Sequence, residues 1–270
     1  EWMAAFLDKE PDSRKEKAIG VAKSMGFKIE PLNVNTSGKV WEISDDGKTL
    51  IQPLTSIKGL GSSAMDQILE HRPFNKIEEF LFHDDVVYSK LNKKALDVLC
   101  QAGALSTLQD DRFTGEKHFW TCVAVDRPRK PQNLIENIEK YAPEGDFSVE
   151  EKIESLTALT GVFPIRMIVS EETQKNLMES GVPPISEFDK DLKITWFIPR
   201  KVMVRKTKND KTYYVLEVVD SNNAVTQIRC WGANPEKDHV QVNRPYMAKL
   251  DYNDQWGFST RSMYHNFRVL

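Results

Sequence analysis

The chain has 270 residues and a mass of 31.0 kDa, which is enough for two compact domains or one large one. Its mean hydropathy of −0.49 and charged fraction of 29% are typical of a globular chain and exclude a collagen-like fibre and a disordered tail. No apolar run approaches the roughly 20 residues of a membrane span, and three widely spaced cysteines indicate no disulfide framework. We therefore expect a cytoplasmic location without a membrane partner.

The net charge of −3 is unevenly distributed along the chain. Residues 193–270 carry 13 Lys and Arg against 7 Asp and Glu, a balance of +6, which leaves −9 for residues 1–192. A basic half is a frequent sign of nucleic-acid contact. A solvated basic surface explains the charge alone equally well.

Residues 1–52 are predicted to hold two helices followed by a β-hairpin. Apolar residues recur at helical spacing in 2–7 and 14–25, and Gly26 ends the second helix. The turn at 45–48, between two apolar runs, predicts the hairpin. Because Glu1 already lies in a predicted helix, we expect the chain to be part of a longer protein.

Residues 53–108 contain the most informative pattern, which predicts a helix-hairpin-helix. Two glycines permit a tight reversal, an apolar residue between them can reach the core, and a serine can cap the next helix. The unpaired N–H groups at that helix start can hold a phosphate oxygen beside a lysine, which positions a nucleic acid without reading its sequence. An ordinary helical turn ending at glycine is the alternative. The residues concerned are Lys58, Gly59, Leu60, Gly61, Ser62 and Ser63.

A second, degenerate copy of the motif follows. Asn92 or Ser89 can cap a helix that starts with Lys93 and Lys94 and ends at Gly103. Two lysines at a helix start oppose the helix dipole, and a bound phosphate would relieve that conflict. Two solvated lysines are the alternative explanation.

Residues 109–192 are predicted to be a linker with connecting helices, because prolines and glycines interrupt the helical pattern. From residue 193 the apolar period changes from helical to two, which predicts short strands over 193–270. Their number and spacing fit a small antiparallel β-barrel of the oligonucleotide-binding (OB) type, with a small sandwich as the alternative. We thus expect an α+β multidomain chain with a mainly helical N-terminal part.

Cations and aromatic residues occur together on the predicted barrel strands. Bases stack on aromatic faces while cations follow the phosphates, which is how such barrels hold single strands. Because the strand period is two, Tyr213 and Tyr214 point to opposite faces, and the pattern does not say which of them is core. The candidate contacts are Lys206, Lys208, Tyr213, Arg229 and Trp231.

The sequence shows no catalytic signature. It contains no phosphate-binding loop ending in Lys-Ser or Lys-Thr, no Gly-x-Ser-x-Gly and no Cys-x-x-Cys. His118 and Cys122 are at most half of a metal site, and coincidence explains their spacing better. Asp84 and Asp85 lack a second acidic cluster, so a two-metal nuclease or polymerase centre is not predicted. We expect no catalytic residue, metal ligand or cofactor in this chain.

The order and spacing of several segments resemble one known family. The segments are 1–5, 25–26, 31–37, 57–61, 92–105 and 151–164. They resemble the C-terminal part of the alpha subunit of bacterial replicative DNA polymerase III, from the end of its fingers region through its tandem helix-hairpin-helix region. Residues 193–270 then take the place of that family's OB-fold.

This resemblance implies a role in DNA replication. The parent would be a DNA-directed DNA polymerase, a nucleotidyltransferase that uses Mg²⁺, and the chain would hold primer-template duplex at the hairpins and single-stranded template at the barrel. The family's palm aspartates lie upstream of the matching region, so this chain should not polymerise DNA alone.

The resemblance also raises an alternative function, a protein-docking module for a sliding clamp or another replisome subunit. The family's clamp-binding motif is matched poorly by residues 109–113 and 174–178. Phe163-Pro164 stands where many relatives have His-Pro. A divergent phage or plasmid-borne version of the bacterial protein would account for these departures, and a host-encoded bacterial protein is the alternative.

Overall fold

The computed structural model describes residues 1–141, 145–232 and 239–270, which form two compact units. The helical unit comprises 1–18 and 25–163, and the sheet unit comprises 19–24 and 164–270. None of the helices in these residues is long and apolar enough to cross a membrane. The helices are α1 (Trp2–Lys9), α2 (Asp12–Ser24), α3 (Ser62–His71), α4 (Ile77–Phe82), α5 (Lys93–Gln101), α6 (Glu116–Trp120), α7 (Pro131–Lys140), α8 (Val149–Thr160), α9 (Glu171–Glu179) and α10 (Met263–Asn266).

The strands belong to two separate sheets. A small sheet has the order β1-β3-β2, and a larger sheet has the order β10-β7-β4-β5-β6-β9-β8. The strands are β1 (Lys28–Glu30), β2 (Glu42–Ile43), β3 (Thr49–Ile51), β4 (Ile194–Lys206), β5 (Thr212–Val219), β6 (Val225–Cys230), β7 (Tyr246–Lys249), β8 (Asp251–Asn253), β9 (Gly257–Thr260) and β10 (Phe267–Val269).

The predicted hairpin of residues 40–51 forms as the antiparallel pair β2–β3. Its turn is closed by Asp46, whose carboxylate accepts hydrogen bonds from the N–H groups of Lys48 and Thr49 and the hydroxyls of Ser44 and Thr49. These hydrogen bonds hold the pKa of Asp46 well below its usual range, and the bonds from the hydroxyls of Thr49 and Ser44 have the largest effect. β1 pairs parallel with β3, an addition that the local turn signal does not reveal.

One apolar core holds α3, α4 and α5 together with part of the segment predicted to be a linker. From that segment Phe113, Phe119, Cys122 and Leu134 are buried in the same cluster as the helix-hairpin-helix residues. A π-helical turn at Thr121–Val125 continues α6 and carries Cys122 inward. Residues 109–163 therefore pack as part of the helical unit and do not form an extended linker.

The sheet unit confirms the predicted OB-type architecture, because its large sheet curls into a half-barrel. β4 bends at an irregularity between Pro199 and Lys201, and it pairs with β7 through its first part and with β5 through its second. The half-barrel stays open, and β6 pairs with β9 in parallel. Alternation in the sequence predicts strands, but it does not say which strands are neighbours, so the parallel pair was not foreseen.

Candidate nucleic-acid interface

The reversal before α3, residues 57–61, is called the glycine loop here. Leu60 is buried in the core, as predicted, and its N–H donates to the Ile57 carbonyl at 3.2 Å. Gly59 has φ +89°, a left-handed conformation that only glycine adopts without strain. A Cβ there would lie 3.6 Å from Cε of Lys94, an ordinary contact. The need for glycine at this position is therefore conformational and not steric.

Gly61 has a different role, because its backbone is in the ordinary extended region with φ −74°. A Cβ added at Gly61 would have no atom within 4 Å, so the backbone here is exposed to solvent and no side chain covers it. Gly61 is the N-cap of α3 and no side chain caps this helix. The expectation that Ser62 or Ser63 caps α3 is thus wrong, since both lie inside its first turn.

The start of α3 leaves hydrogen-bond donors free. Within the described residues the N–H groups of Ser62 and Ser63 have no acceptor, because the first such bonds run from Ala64 and Met65 to the Gly61 carbonyl. Both serines are exposed, and no acidic residue lies in the first turn of the helix. Two free N–H groups at the positive end of a ten-residue helix can donate hydrogen bonds to an anion.

Two lysines lie at the glycine loop, one within it and one from the second motif. Lys58 is fixed through its N–H, which donates to the Leu159 carbonyl at 2.9 Å, and its Nζ lies 3.9 Å from where a Cβ of Gly161 would be. Cε of Lys94 lies beside Gly59, 3.6 Å from where a Cβ of that glycine would be. Both side chains are exposed, and neither forms an ion pair with any residue that the structure describes. The fold therefore brings a lysine of the second motif to the glycines of the first.

The second motif forms with the predicted cap. Asn92 Oδ1 accepts a hydrogen bond from the N–H of Ala95 at 3.0 Å, which settles the choice between Asn92 and Ser89. Lys93 has a partner within the fold, since its Nζ donates to the Val125 carbonyl at 2.9 Å. Lys94 is thus the better placed of the two lysines for a ligand at the glycine loop.

In the sheet unit the structure decides between the two tyrosines. Tyr214 packs against the core of the half-barrel, whereas Tyr213 lies on the opposite, outer face. Tyr213 stacks on Trp231, with ring centroids 4.6 Å apart and an angle of 28° between the planes. The pairing of Tyr214 with Cys230 explains this contact, because it places Trp231 directly across from Tyr213.

Two arginines share this outer face with the aromatic pair. Arg229 lies two residues before Trp231 on the same side of the sheet, and its Nη1 donates to the carbonyl of Trp256. Arg205 on β4 lies directly opposite Tyr213 and is exposed. Sequence analysis missed Arg205, although the turn between β4 and β5 carried the signal that sets this register. Arg205, Tyr213, Arg229 and Trp231 are called the outer face below.

The remaining predicted cations of the half-barrel lie at the β4–β5 turn. Lys206 Nζ forms an exposed ion pair with Asp210 at 2.8 Å, and its side chain lies on the opposite side of β4 from Arg205. Lys208 is exposed in the turn itself. The structure thus groups Tyr213, Arg229 and Trp231 and leaves these two lysines at the edge of the group.

His118 is a core histidine whose hydrogen bonds are satisfied. Its Nδ1 accepts from the N–H of Thr114 and its Nε2 donates to the Ile138 carbonyl, both at 3.2 Å. Neither ring nitrogen has a lone pair left for a metal ion. Burial raises the pKa of the nearby Cys122 thiol to about 11, so this thiol is not a ready metal ligand either.

The stretch of residues 109–113, which sequence analysis compared with a clamp-binding motif, is folded into the helical unit. Phe113 is only 4% exposed and packs edge-on against Phe119 with centroids 4.9 Å apart. Arg112 binds Asp110 and Glu78 at 2.7 and 2.6 Å. The aromatic residue that a docking peptide needs on its surface is therefore inaccessible here.

Residues 26–114 match the family described as the helix-hairpin-helix motif, so this part of the chain is a helix-hairpin-helix module. The sequence is also similar to three proteins named DNA polymerase III subunit alpha. The relative from Chlamydia muridarum is 30% identical over 118 residues, 42% of this chain and 9% of the relative. Those from Pseudomonas aeruginosa (34% over 132 residues, 47% and 11%) and Escherichia coli K12 (29% over 119 residues, 42% and 10%) align similarly.

These matches show that the chain is homologous to part of the alpha subunit of DNA polymerase III, a replicative polymerase of the C family. They confirm the resemblance that the sequence indicates. The alignments span about a tenth of the length of these relatives.

Proposed function

We propose that this chain is a DNA-binding part of a replicative DNA polymerase, in which the glycine loop grips duplex backbone and the outer face guides single-stranded template. The observation that carries the proposal is the bare backbone at Gly61 beside the free N–H groups of Ser62 and Ser63. It occurs inside a module that matches the helix-hairpin-helix family. We assign no catalytic residue to this chain.

At the glycine loop a phosphate oxygen would accept hydrogen bonds from Ser62 and Ser63 N–H groups. Because Gly61 has no side chain, a phosphate can approach the loop closely. The ammonium groups of Lys58 and Lys94 would neutralise phosphates on either side of this contact. None of these groups reads a base edge, so the binding would be independent of sequence.

At the outer face the contacts would come from side chains. OB-folds bind oligonucleotides on the face of their second and third strands, which correspond to β5 and β6 here. Those strands carry the stacked pair Tyr213 and Trp231, and Trp231 is 39% exposed, enough to stack a base. Arg205 and Arg229 supply the positive charge for the backbone of the strand.

The alternative function, docking on a sliding clamp, has less support in the fold. Of the two stretches that match a clamp-binding motif equally poorly, 109–113 and 174–178, the first has its aromatic residue Phe113 buried. Direct capture of a sliding clamp by the chain, in the absence of DNA, would favour this alternative.

The proposal is tested by fluorescence anisotropy with labelled primed duplex and labelled single strand, each titrated with the full chain over a series of salt concentrations. We expect binding of both, weakening steeply with salt, with a slope of about −0.9 per phosphate contact on duplex. Absence of binding to either DNA at low salt would overturn the proposal.

One variant of the glycine loop distinguishes the proposed duplex site from the proposed single-strand site. Gly61→Val places a branched side chain where the phosphate would lie, at a position with free space inside the protein itself. We expect duplex affinity to fall about tenfold or more, the cost of charge-assisted hydrogen bonds to two donors, with unchanged single-strand affinity. Equal duplex affinity of Gly61→Val and wild type, both fully folded, would contradict the assigned role of the loop.

A further inference from the structure

A group of metal-binding side chains lies away from the glycine loop, at the far end of α3. His71 is the last residue of α3, His83 follows α4 directly, and Asp85 lies two residues later. One potential ligand atom from each lies within 4.8 Å of the others. His83 and Asp85 lie 12 and 14 positions after His71 in the chain, so the sequence spacing gave no sign that the three side chains are close together.

The backbone holds His71 ready to bind a metal. Its Nδ1 lies 2.8 Å from the carbonyl oxygen of Gln67, and because a carbonyl can only accept, Nδ1 carries the proton. The lone pair is then on Nε2, the free nitrogen. Metal-binding histidines usually donate their other N–H to a carbonyl in this way, which fixes both tautomer and ring orientation.

The same glutamine also ties α3 to the segment that provides the other two ligands. The side chain of Gln67 is buried, with 2% exposure, and its Oε1 accepts the N–H of Val87 at 3.0 Å. This bond anchors the chain just after His83 and Asp85 to the helix that carries His71. The three ligands are therefore brought together by a buried contact and not by chance on a mobile surface.

The two other ligands have freedom to adjust. His83 and Asp85 are exposed. His83 Nδ1 accepts the N–H of Asp85 at 3.3 Å and lies 3.7 Å from an Asp85 carboxylate oxygen, so a metal ion bound at this nitrogen would replace that one hydrogen bond. The rings of His71 and His83 meet edge-on with centroids 5.6 Å apart. A tetrahedral zinc ion with bonds of about 2.0–2.2 Å holds its ligand atoms about 3.3–3.6 Å apart. The two exposed side chains, His83 and Asp85, would have to rotate to close that difference.

We propose that His71, His83 and Asp85 bind one divalent transition-metal ion of the zinc type, with water as a further ligand. Two imidazoles and one carboxylate suit Zn²⁺ and Co²⁺, whereas Mg²⁺ and Ca²⁺ prefer sites made of oxygen alone. The ion would tie the end of α3 to the segment after α4 and so stiffen the helix whose other end forms the glycine loop. This inference stands independently of the proposed DNA binding.

The test is a titration of the full, chelator-treated chain with Co²⁺, followed by its visible absorption and then by displacement with Zn²⁺. We expect one equivalent of Co²⁺ to bind, and His83→Ala or Asp85→Ala to weaken its affinity at least about tenfold. Zn²⁺ at about 100 times its Kd should raise the Tm of the wild type by about 5 °C or more and leave that of His83→Ala unchanged.

The matched control is His265→Ala, which removes an exposed histidine of the sheet unit outside the three-residue group. It should bind Co²⁺ like the wild type. Absence of a spectral change in the wild type at about a hundredfold excess of Co²⁺ would overturn the proposal. Binding that survives in His83→Ala and Asp85→Ala but is lost in His265→Ala would do so as well.

Discussion

The glycine loop and the outer face are two differently built candidates for the same kind of ligand. At the loop the donors are backbone N–H groups, and the key residue, Gly61, matters because it has no side chain. At the outer face the contacts are side chains, the stacked Tyr213 and Trp231 with two arginines around them. A backbone site is lost by adding atoms, whereas a side-chain site is lost by removing them.

This difference also fits the ligand proposed for each site. Duplex DNA presents a regular row of phosphates and hides the faces of its bases, so rigid N–H groups at a helix end suit it. A single strand exposes the faces of its bases, so flat aromatic rings suit it. The following changes separate the two sites, from the largest expected effect to the smallest.

Removal of one aromatic ring should have the largest effect. Trp231→Ala takes away a stacking surface worth about 1–3 kcal/mol per base, so single-strand affinity should fall by about fivefold to 150-fold while duplex affinity stays unchanged. Anisotropy with both DNAs measures this directly. Tyr264→Ala, which removes a 59% exposed aromatic residue of α10, is the matched control and should bind like the wild type. Equal losses in the two variants would show that the outer face has no special role.

The two glycines of the loop should respond differently to the same substitution. Gly59→Ala forces a side chain into a left-handed conformation and should lower the free energy of unfolding by about 1–2 kcal/mol. Gly61→Ala meets neither strain nor contact, so only the poorer N-cap preference of alanine remains and the cost should be below about 1 kcal/mol. Urea unfolding followed by circular dichroism gives both values. Equal destabilisation by the two variants would contradict the separate roles of these glycines.

Loss of Lys58 in the glycine loop or of Lys94 beside it should weaken duplex binding most at low salt, and should therefore make the affinity less dependent on salt. Lys58→Ala and Lys94→Ala should each reduce the slope of log affinity against log salt on duplex by about 0.9, the value for one lost phosphate contact. Lys17→Ala, an exposed lysine of α2 elsewhere in the helical unit, is the control and should leave the slope unchanged. A slope unaltered in both loop variants would remove the two lysines from the proposed interface.

The smallest effect concerns the ion pairs that Arg112 forms with Glu78 and Asp110 in the helical unit. Hydrogen bonds from Arg112 hold the pKa values of Glu78 and Asp110 below their usual range. Because these carboxyl groups titrate lower in the folded state, their contribution to stability is present above about pH 4.5 and is lost as the pH falls below it. The groups are partly exposed, so we expect less than about 1 kcal/mol.

Urea unfolding at neutral and at acid pH measures this contribution. Arg112→Met should abolish that part of the pH dependence, and Arg14→Met, at an exposed arginine of α2, should keep it. A pH dependence identical in both variants would assign it to other carboxyl groups.

The features that sequence analysis predicted are those decided by neighbouring residues in the chain. The reversal at the two glycines, a cap at Asn92 or Ser89 and the turn at 45–48 each depend on contacts within a few residues. Which of Tyr213 and Tyr214 is buried depends instead on the side of β5 that faces the core. Both sides of β5 carry apolar residues, so the alternation of the sequence does not distinguish them.

The unpredicted features come from contacts between distant parts of the chain. Phe113 and Leu134 belong to the core of the helical unit, although prolines and polar residues around them hide any helical period. Lys94 meets Gly59 across 35 positions, and His71 meets His83 across the whole of α4. Such contacts follow from the topology of the folded chain, which the spacing of neighbouring residues in the sequence does not reveal.

The 13 residues of β4 have a consequence for the way the sheet unit opens. Its first part pairs with β7 and its second part with β5, so one continuous strand is common to both halves of the half-barrel. Neither half can separate from β4 without disturbing the strand that the other half needs. The backbone amides in the middle of β4 should therefore exchange with deuterium only when the whole sheet opens, later than those of the edge strands β8 and β10. β4 therefore determines how much of the sheet unit unfolds cooperatively.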